Sequence, residues 1–508
     1  MTSMTNLAKP PVVVVGAGIS GLCTALALAK TGLAVTVVER DSPPPSGDPD
    51  QAFFEWNRRG AAQFKHPHAF LAVMSNLLQD SFPGLMDDFF AAGARKVTFE
   101  DMLPPDLKEK YTPLPGDEKM WLLMCRRATM ETVFRRYAEQ QDLISIESDT
   151  QVTALLSHKD GDQILVDGIS VKTRDEPERQ LLSQVLIDAG GRNSKLKTWL
   201  QAAGGAIKTE DDDAEIVYFT RHYKLLPGVE EPARGDSKDR SSGDLGYIKY
   251  GVFPGEGGHF AVIACLHKEE KALHEAIKSS DQFDLICRSI PGLVPWVAAD
   301  KAEPTTESFG FGDIHAVWHH FVDDGRAVAL NYFAVGDAAL RTNPLYGRGC
   351  STGIIHAHLL ADTLRDISDP VARALHFHQR TEEELRPIFK ASLAEDKKAI
   401  RQAKAEINGQ VIDSASTAKA WFNAAFGDAL SMASTRNIHV LRGIMRTFNL
   451  LEKPGDFLKD KRILLTTMAY MLGGRKRNAN ARKVNGPGRQ QMLTILTNKQ
   501  AQRESASA

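Results

Sequence analysis

Three glycine-bearing stretches, far apart in the chain, hold the residues whose types and spacing could do chemistry. In the first, Val12-Val13-Val14-Val15 runs into Gly16-Ala17-Gly18-Ile19-Ser20-Gly21. Four β-branched residues in a row suit a strand buried on both faces, as in a parallel sheet. The glycines then follow the order G-x-G-x-x-G. Gly16 permits a tight turn, Gly18 lets the backbone approach a pyrophosphate, and Gly21 lets the next helix lie close to the strand. The first amides of that helix, with its dipole, would hold phosphate charge. A second strand over 34–38 ends at Glu39, an acid roughly 20 residues past the glycines and placed to accept hydrogen bonds from a ribose. Strand, glycines, helix, strand and acid in that order point to an adenine dinucleotide. FAD and NAD satisfy them equally.

The second stretch, Val185 to Ser194, is another buried strand feeding a glycine turn and a helix over about 195–203. Alone it is an ordinary strand-to-helix turn. The third carries Gly336-Asp337 after the strand at 331–335 and continues through Pro344, Gly347 and Gly349 into a helix ending near Leu364. Asp337 is placed to hydrogen-bond a polyol, and the small-residue turns before a helix N-terminus make another anion or dipole cradle.

Between the first two stretches, residues 56–71 include Arg58, Arg59, Gln63, His66 and His68. The segment reads equally as a solvated basic turn before a helix over 69–82, or as a wall where Arg59 and Gln63 reach the dinucleotide and His66 or His68 line the active cavity. Two histidines without Cys or carboxylate partners at ligand spacing do not make a metal site. Arg127 opens a helix over about 128–139, where its charge works against the helix dipole. It is either exposed or faces a bound anion.

The elements that must position these residues follow from pattern. The 508 residues suffice for two or three domains with large cores. Hydrophobic residues at 43% and charged residues at 25% are ordinary globular values, and a net charge of −2 gives no global case for nucleic acid or an anionic membrane. Five scattered cysteines without metal spacing fit a reducing, cytoplasmic setting. The N-terminus shows no basic segment followed by an apolar core, so no signal peptide is expected. A Pro-, Ser- and Gly-rich loop is predicted over 40–52, and a hairpin from 166–173 and 182–187 with a charged tip. Residues 208–325 read as an antiparallel sheet, with a half-exposed strand at 216–223, a hairpin around 254–258 and a mobile polar loop between 223 and 246. From Pro370 onward no strand pattern appears: a charged helix over 380–407 precedes helices near 418–433 and 438–450. An apolar run, 463–472, abuts Arg475, Lys476, Arg477, Arg482 and Lys483; it reads as a helical cap with a basic loop or as a membrane-surface foot.

Together, the first glycine motif, the Asp188 to Ser194 turn and Gly336-Asp337 resemble the three signatures of flavin monooxygenases of the para-hydroxybenzoate hydroxylase fold, over roughly residues 11–370. The run from Arg58 to His68, and that from Gly336 to Gly349, are similar to bacterial flavin epoxidases acting on polyether polyketide precursors; squalene epoxidase is a more distant relative. The resemblance implies an α/β protein: a Rossmann-like FAD-binding domain from residues 1–82, 126–207 and 326–370, an excursion at 83–125, an antiparallel-sheet substrate domain at 208–325, and a C-terminal helical region at 371–508. It implies that Gly16, Gly18, Ser20, Gly21 and Glu39, with Arg40, hold the ADP half of FAD. Arg127 would lie at the phosphate and ribityl side, Val152 by the adenine and Asp337 on the ribityl chain, while Pro344 and residues Gly347 to Cys350 would border the isoalloxazine. His66, His68 and Arg348 are candidate modulators of catalysis.

The chemistry so implied is oxygen transfer from a flavin C4a-hydroperoxide to an alkene or activated ring of an apolar substrate, with O₂ and NAD(P)H consumed. Ala189 stands where the family commonly has glycine, in a turn that also serves NADPH there, so electrons are expected either directly from NAD(P)H or through a partner reductase. The alternatives are an alkene reductase of the geranylgeranyl reductase kind and a flavin-bearing redox-sensing or binding protein. A halogenase is disfavoured by the lack of a W-x-W-x-I-P element.

Overall fold

The computed structural model describes residues 10–68, 70–233, 238–410, 417–480 and 483–507, with side chains described up to 498. Its centre is a five-stranded parallel sheet in the order Tyr332–Ala334, Val185–Asp188, Val12–Val15, Val35–Val38, Ile144–Glu147. Strands drawn from across 320 positions of chain meet here because each is a short apolar run that must bury both faces. Helix α1 (Ile19–Lys30) and α2 (Arg127–Glu139) pack on one face, joined by α3 (Gly349–Asp366), in a core that includes Leu22, Leu26, Val133, Phe134, Ile354 and Leu360. α1 stops at Gly32, whose φ of +87° suits a residue without a Cβ.

Register explains why the glycine stretches matter together. Val15 pairs with Asp188, and Asp188 pairs with Ala334, so three adjacent strands end at one level. The bends after them leave the same edge of the sheet side by side. In open parallel sheets that carboxyl-end edge is where ligands bind.

A second sheet roofs this edge. Its strands run Ser242–Asp244, Ile248–Pro254, His259–His267, Ile216–Leu225, Ala302–Pro304, with Phe309–Phe311 also paired to Ile216–Leu225. The strand expected to be half-exposed is buried from Tyr218 to Tyr223. Phe219 and Tyr223 face a core closed by the helices Lys271–Ile277 and Ser280–Arg288, whereas Tyr218, Ile263 and Phe311 face the opposite way. Val484, Met492 and Leu496, from the C-terminal end of the chain, complete the first of these cores, and Arg489 pairs with the fully buried Glu270.

Several local expectations are corrected. Within the 40–52 loop, Asp48 caps a helix, Pro49–Glu55, by accepting from the Gln51 amide. The strand at 166–173 pairs with Arg179–Leu182, not with 182–187, which joins the parallel sheet; a charged tip marks a turn without fixing its partner strand. The polar stretch before Gly246 contains a strand, Ser242–Asp244, and residues 234–237 lie outside the described residues, as do Ala69 and Arg482. The helix expected over 380–407 begins ten residues earlier: α4 spans Pro370–Ile407, capped by Asp369. Beyond it lie α5 (Ala418–Ser434), α6 (Ile438–Phe448) and α7 (Lys461–Leu472).

Candidate functional site

The three bends interlock. A Cβ on Gly16 (φ +103°) would sit 2.6 Å from the Ala189 carbonyl oxygen of the second bend, and one on Gly21 would run into the Gly16 carbonyl. Cβ atoms on Gly336 (φ +57°) or Gly353 would both collide with the Ser20 hydroxyl, which is thereby held between the first and third bends. Gly21 and Gly336 thus serve close packing and do not line the cleft. Gly18 and Gly349 differ: a Cβ on either meets no atom within 4 Å, and both line one cavity of about 400 Å³. The amino ends of α1 and α3 therefore present bare backbone to shared space, the arrangement a phosphate-bearing ligand needs.

At one end of the cleft lie Val38, Glu39, Arg40, Gln151 and Val152. Glu39 accepts from the amides of Ala17 (2.7 Å) and Asp41 (2.9 Å), which knots the loop; the oxygen bound by Ala17 also pairs with Arg58 at 3.3 Å, and the one bound by Asp41 keeps a lone pair for a ligand. Of the paired arginines it is Arg58, not Arg59, that reaches the cleft. Buried Arg58 donates to Glu131 (2.8 Å) and Asp41 (3.1 Å). Arg59 is exposed, 3.5 Å from Asp41, and borders an adjoining groove with Arg40, Lys172 and Arg174. Two adjacent residues in a turn point opposite ways, and nothing in their types or spacing marks which points inward. Gln63 does line the cleft.

Midway, Arg127 is buried, so its charge at the start of α2 is met from within: it donates to Glu131 at 2.6 Å. Burial would raise the Glu131 carboxyl, but Arg58 and Arg127 hold it below the usual carboxylate range. Arg127 also donates to His68 Nε2 (2.7 Å), so His68 must carry its proton on Nδ1, which donates to the His66 carbonyl (2.8 Å). Burial and the Arg127 charge keep His68 neutral. Across the cleft stands Asp337, raised by burial against the opposing pull of Arg127, Arg341 and Arg192. Among the described residues its carboxylate has no hydrogen-bond partner. Asp188, by contrast, is used up internally, accepting from Gly190, Ser194 and Tyr332.

The far end is apolar. Tyr218, Phe253, Ile263, Phe311 and Leu345 line it, with Phe448 of α6 at the rim. His66 stands in this wall, 4.8 Å from the Phe309 ring and 5.2 Å from that of Tyr218, its Nδ1 2.8 Å from the buried Thr220 hydroxyl. Burial lowers its pKa to about 3, so the ring is neutral at physiological pH. Pro344, Gly347, Gly349 and Cys350 form the facing edge; burial pushes the Cys350 thiol up to about 11, so no thiolate is available. Arg348 turns away. It donates to Ser392 (2.6 Å) and Glu395 (3.2 Å) on α4 and lies over the Tyr346 ring, which makes it a clasp for this loop and not a cleft residue. The aromatic residues of this end gave no distinguishing signal in the sequence, because strand alternation alone does not say which face meets the cofactor domain.

Residues 11–52 match the family model described as FAD dependent oxidoreductase. The structure is similar to that of the flavin-dependent brominase Bmp2, with a TM-score of 0.59 and 17% identity over 92% of this chain and 100% of that one. It is also similar to OxyS anhydrotetracycline hydroxylase from Streptomyces rimosus, with a TM-score of 0.55 and 15% identity over 87% of this chain and 76% of that one. The fold is that of FAD-binding enzymes of this architecture. In sequence, Protein Rv3254 of Mycobacterium tuberculosis (strain ATCC 25618 / H37Rv) is 27% identical over 272 residues, 49% of this chain. That match spans 53% of the relative, so the chain covers about half the length of the curated protein it resembles.

Proposed function

We propose that this chain binds FAD and inserts one atom of O₂ into an apolar small molecule, epoxidising an alkene or hydroxylating an activated ring. The observation that carries this reading is a single cleft in which three glycine bends converge and which continues into an aromatic-walled chamber. Bound FAD, once reduced, supplies the activation of O₂. The residues present fit that group: bare backbone at Gly18 and Gly349, an unpartnered carboxylate at Asp337, and a buried cation at Arg127.

The chain's own part is to hold and to exclude. Backbone amides at the start of α1 receive the pyrophosphate, and Asp337 accepts from a polyol. The amino end of α3, at Gly349, offers dipole and amides to negative charge at the ring end of the ligand. Tyr218, Phe253, Ile263 and Phe311 keep water out and pack an apolar substrate. His66 and His68 remain neutral, so neither adds a charge that would draw water in. With Asp188 committed to its own turn and Ala189 packed on Gly16, neither of these two residues is left to hold a nicotinamide cofactor, which favours delivery of electrons from NAD(P)H by a separate reductase.

The test is to load the protein with FAD, reduce it without oxygen, then mix it with O₂ and a metabolite extract from a strain lacking the protein. A transient absorbance distinct from both oxidised and reduced flavin, and ¹⁸O from ¹⁸O₂ in a new product, are expected. Product formation that needs no O₂ would assign an alkene reductase instead. Failure to bind FAD at all would end the proposal.

A further inference from the structure

Half of the large apolar side chains that stay exposed among the described residues fall between 421 and 472: Trp421, Phe422, Phe448, Leu464, Leu465, Met468 and Leu472. That concentration, in about a tenth of the chain, is not what scattered surface leucines give. Most of it lies on α7. Ile463 and Thr467 are buried on its inner side, Ile463 sharing a core with Ala433 and Val440. Leu465, Met468 and Leu472 follow Lys461 at i+4, i+7 and i+11 and so share the outer side. Leu465 is 68% and Leu472 90% exposed, values that leave these side chains in water unless something covers them. α5, which carries Trp421 and Phe422, packs alongside α7.

Charge identifies the cover. Residues 456–480 contain Lys459, Lys461, Arg462, Arg475, Lys476 and Arg477 against only Asp456 and Asp460, in a chain whose net charge is −2. Lys461 and Arg462 lie exposed at one end of the stripe, and Lys476 and Arg477 just past the other. An apolar stripe bracketed by cations is the pattern of a helix lying in the plane of an anionic bilayer, its leucines below the headgroups and its cations among them. A second copy of this chain would bring two such cationic faces together, and like charges oppose that contact. No helix among the described residues is long and apolar enough to cross a membrane, so the contact is one of lying on the surface. We infer that the outer face of α7, with the exposed start of α5, docks this protein on the surface of an anionic lipid bilayer. α6, which packs against α7, ends at Phe448 on the rim of the cleft, so the docked layer adjoins the cleft mouth.

The experiment is flotation of the full chain with vesicles of phosphatidylcholine alone and of phosphatidylcholine mixed with phosphatidylglycerol. Binding to the anionic vesicles is expected, weakened by high salt, with much less on the zwitterionic ones. The double variant Leu465→Glu/Leu472→Glu should reduce binding by about tenfold or more. Both positions are exposed, so its circular dichroism and FAD binding should match the parent, which separates this inference from the proposed function. Three outcomes would overturn it: no anionic-vesicle binding by the parent, equal binding by the variant, or a concentration-dependent dimer that the variant abolishes.

Discussion

At the residue scale, Gly16 and Gly18 stand two positions apart yet should fail differently. Gly18 has φ −76° and ψ 179°, a conformation open to any residue, and faces empty cleft. Gly18→Val is therefore expected to fold with a parental circular dichroism spectrum and melting temperature but to bind no FAD, read by absorbance after desalting; a yellow variant would contradict the placement. Gly16, at φ +103° against the Ala189 carbonyl, should lose the fold itself when changed to valine. Asp337→Ala offers a test with two signs. Its half-buried carboxylate is raised by desolvation, so removal should leave the apo protein as stable as the parent or more so. FAD affinity should fall about tenfold, the loss of one charge-assisted hydrogen bond; titration of the apo protein by flavin fluorescence measures it.

At the scale of elements, α2 is fastened to the loop before it through Glu131. This fully buried carboxylate lies between Arg58 and Arg127, the latter passing a hydrogen bond on to His68. Glu131→Ala would leave two buried guanidiniums short of their shared partner. The expected loss is about 3–5 kcal/mol in urea unfolding, because an uncompensated buried charge costs more than the ion pair itself contributes. A loss below about 1 kcal/mol, the surface-pair range, would show that water reaches these groups. Arg348→Ala should loosen the loop, which keeps its bonds from Asn343 and Tyr346 to Asp396 of α4, and weaken FAD retention without the same loss of stability; proteolysis at the loop would report it.

For the whole molecule, the expectation concerns acid. His66 and His356 are buried with pKa values lowered to about 3, and His222 to about 4, each chiefly by burial. Unfolded, all three titrate near 6.5. Below that pH the unfolded chain binds the protons that the folded chain refuses, so their contribution to stability is complete above pH 6.5 and is lost as pH falls toward 3–4. Each histidine withdraws about 1.4 kcal/mol per pH unit in that window. Melting temperatures between pH 7.5 and 5 should fall steeply, and an unchanged value would mean that water or a shifted structure accommodates the charged rings.

Much of this molecule was legible in one dimension because its cofactor-domain signals are local. A valine run, a glycine spacing and an acid after the next strand need only nearest neighbours to be meaningful, and the bends at 16, 189 and 336 fell where expected. The order of strands in the parallel sheet was not so encoded: that Val185–Asp188 lies between Tyr332–Ala334 and Val12–Val15, in register, is a pairing choice made across the chain. The same holds for which of Arg58 and Arg59 turns inward, for Arg348 turning out to α4, and for Tyr218 and Phe311 facing the cleft while Phe219 faces the roof core. By itself the sequence determined which segments could turn, cap and bury. Only the tertiary structure decided which of them share one cavity, because a side chain's direction in a turn or a two-sided strand is fixed by what packs against it from elsewhere in the chain.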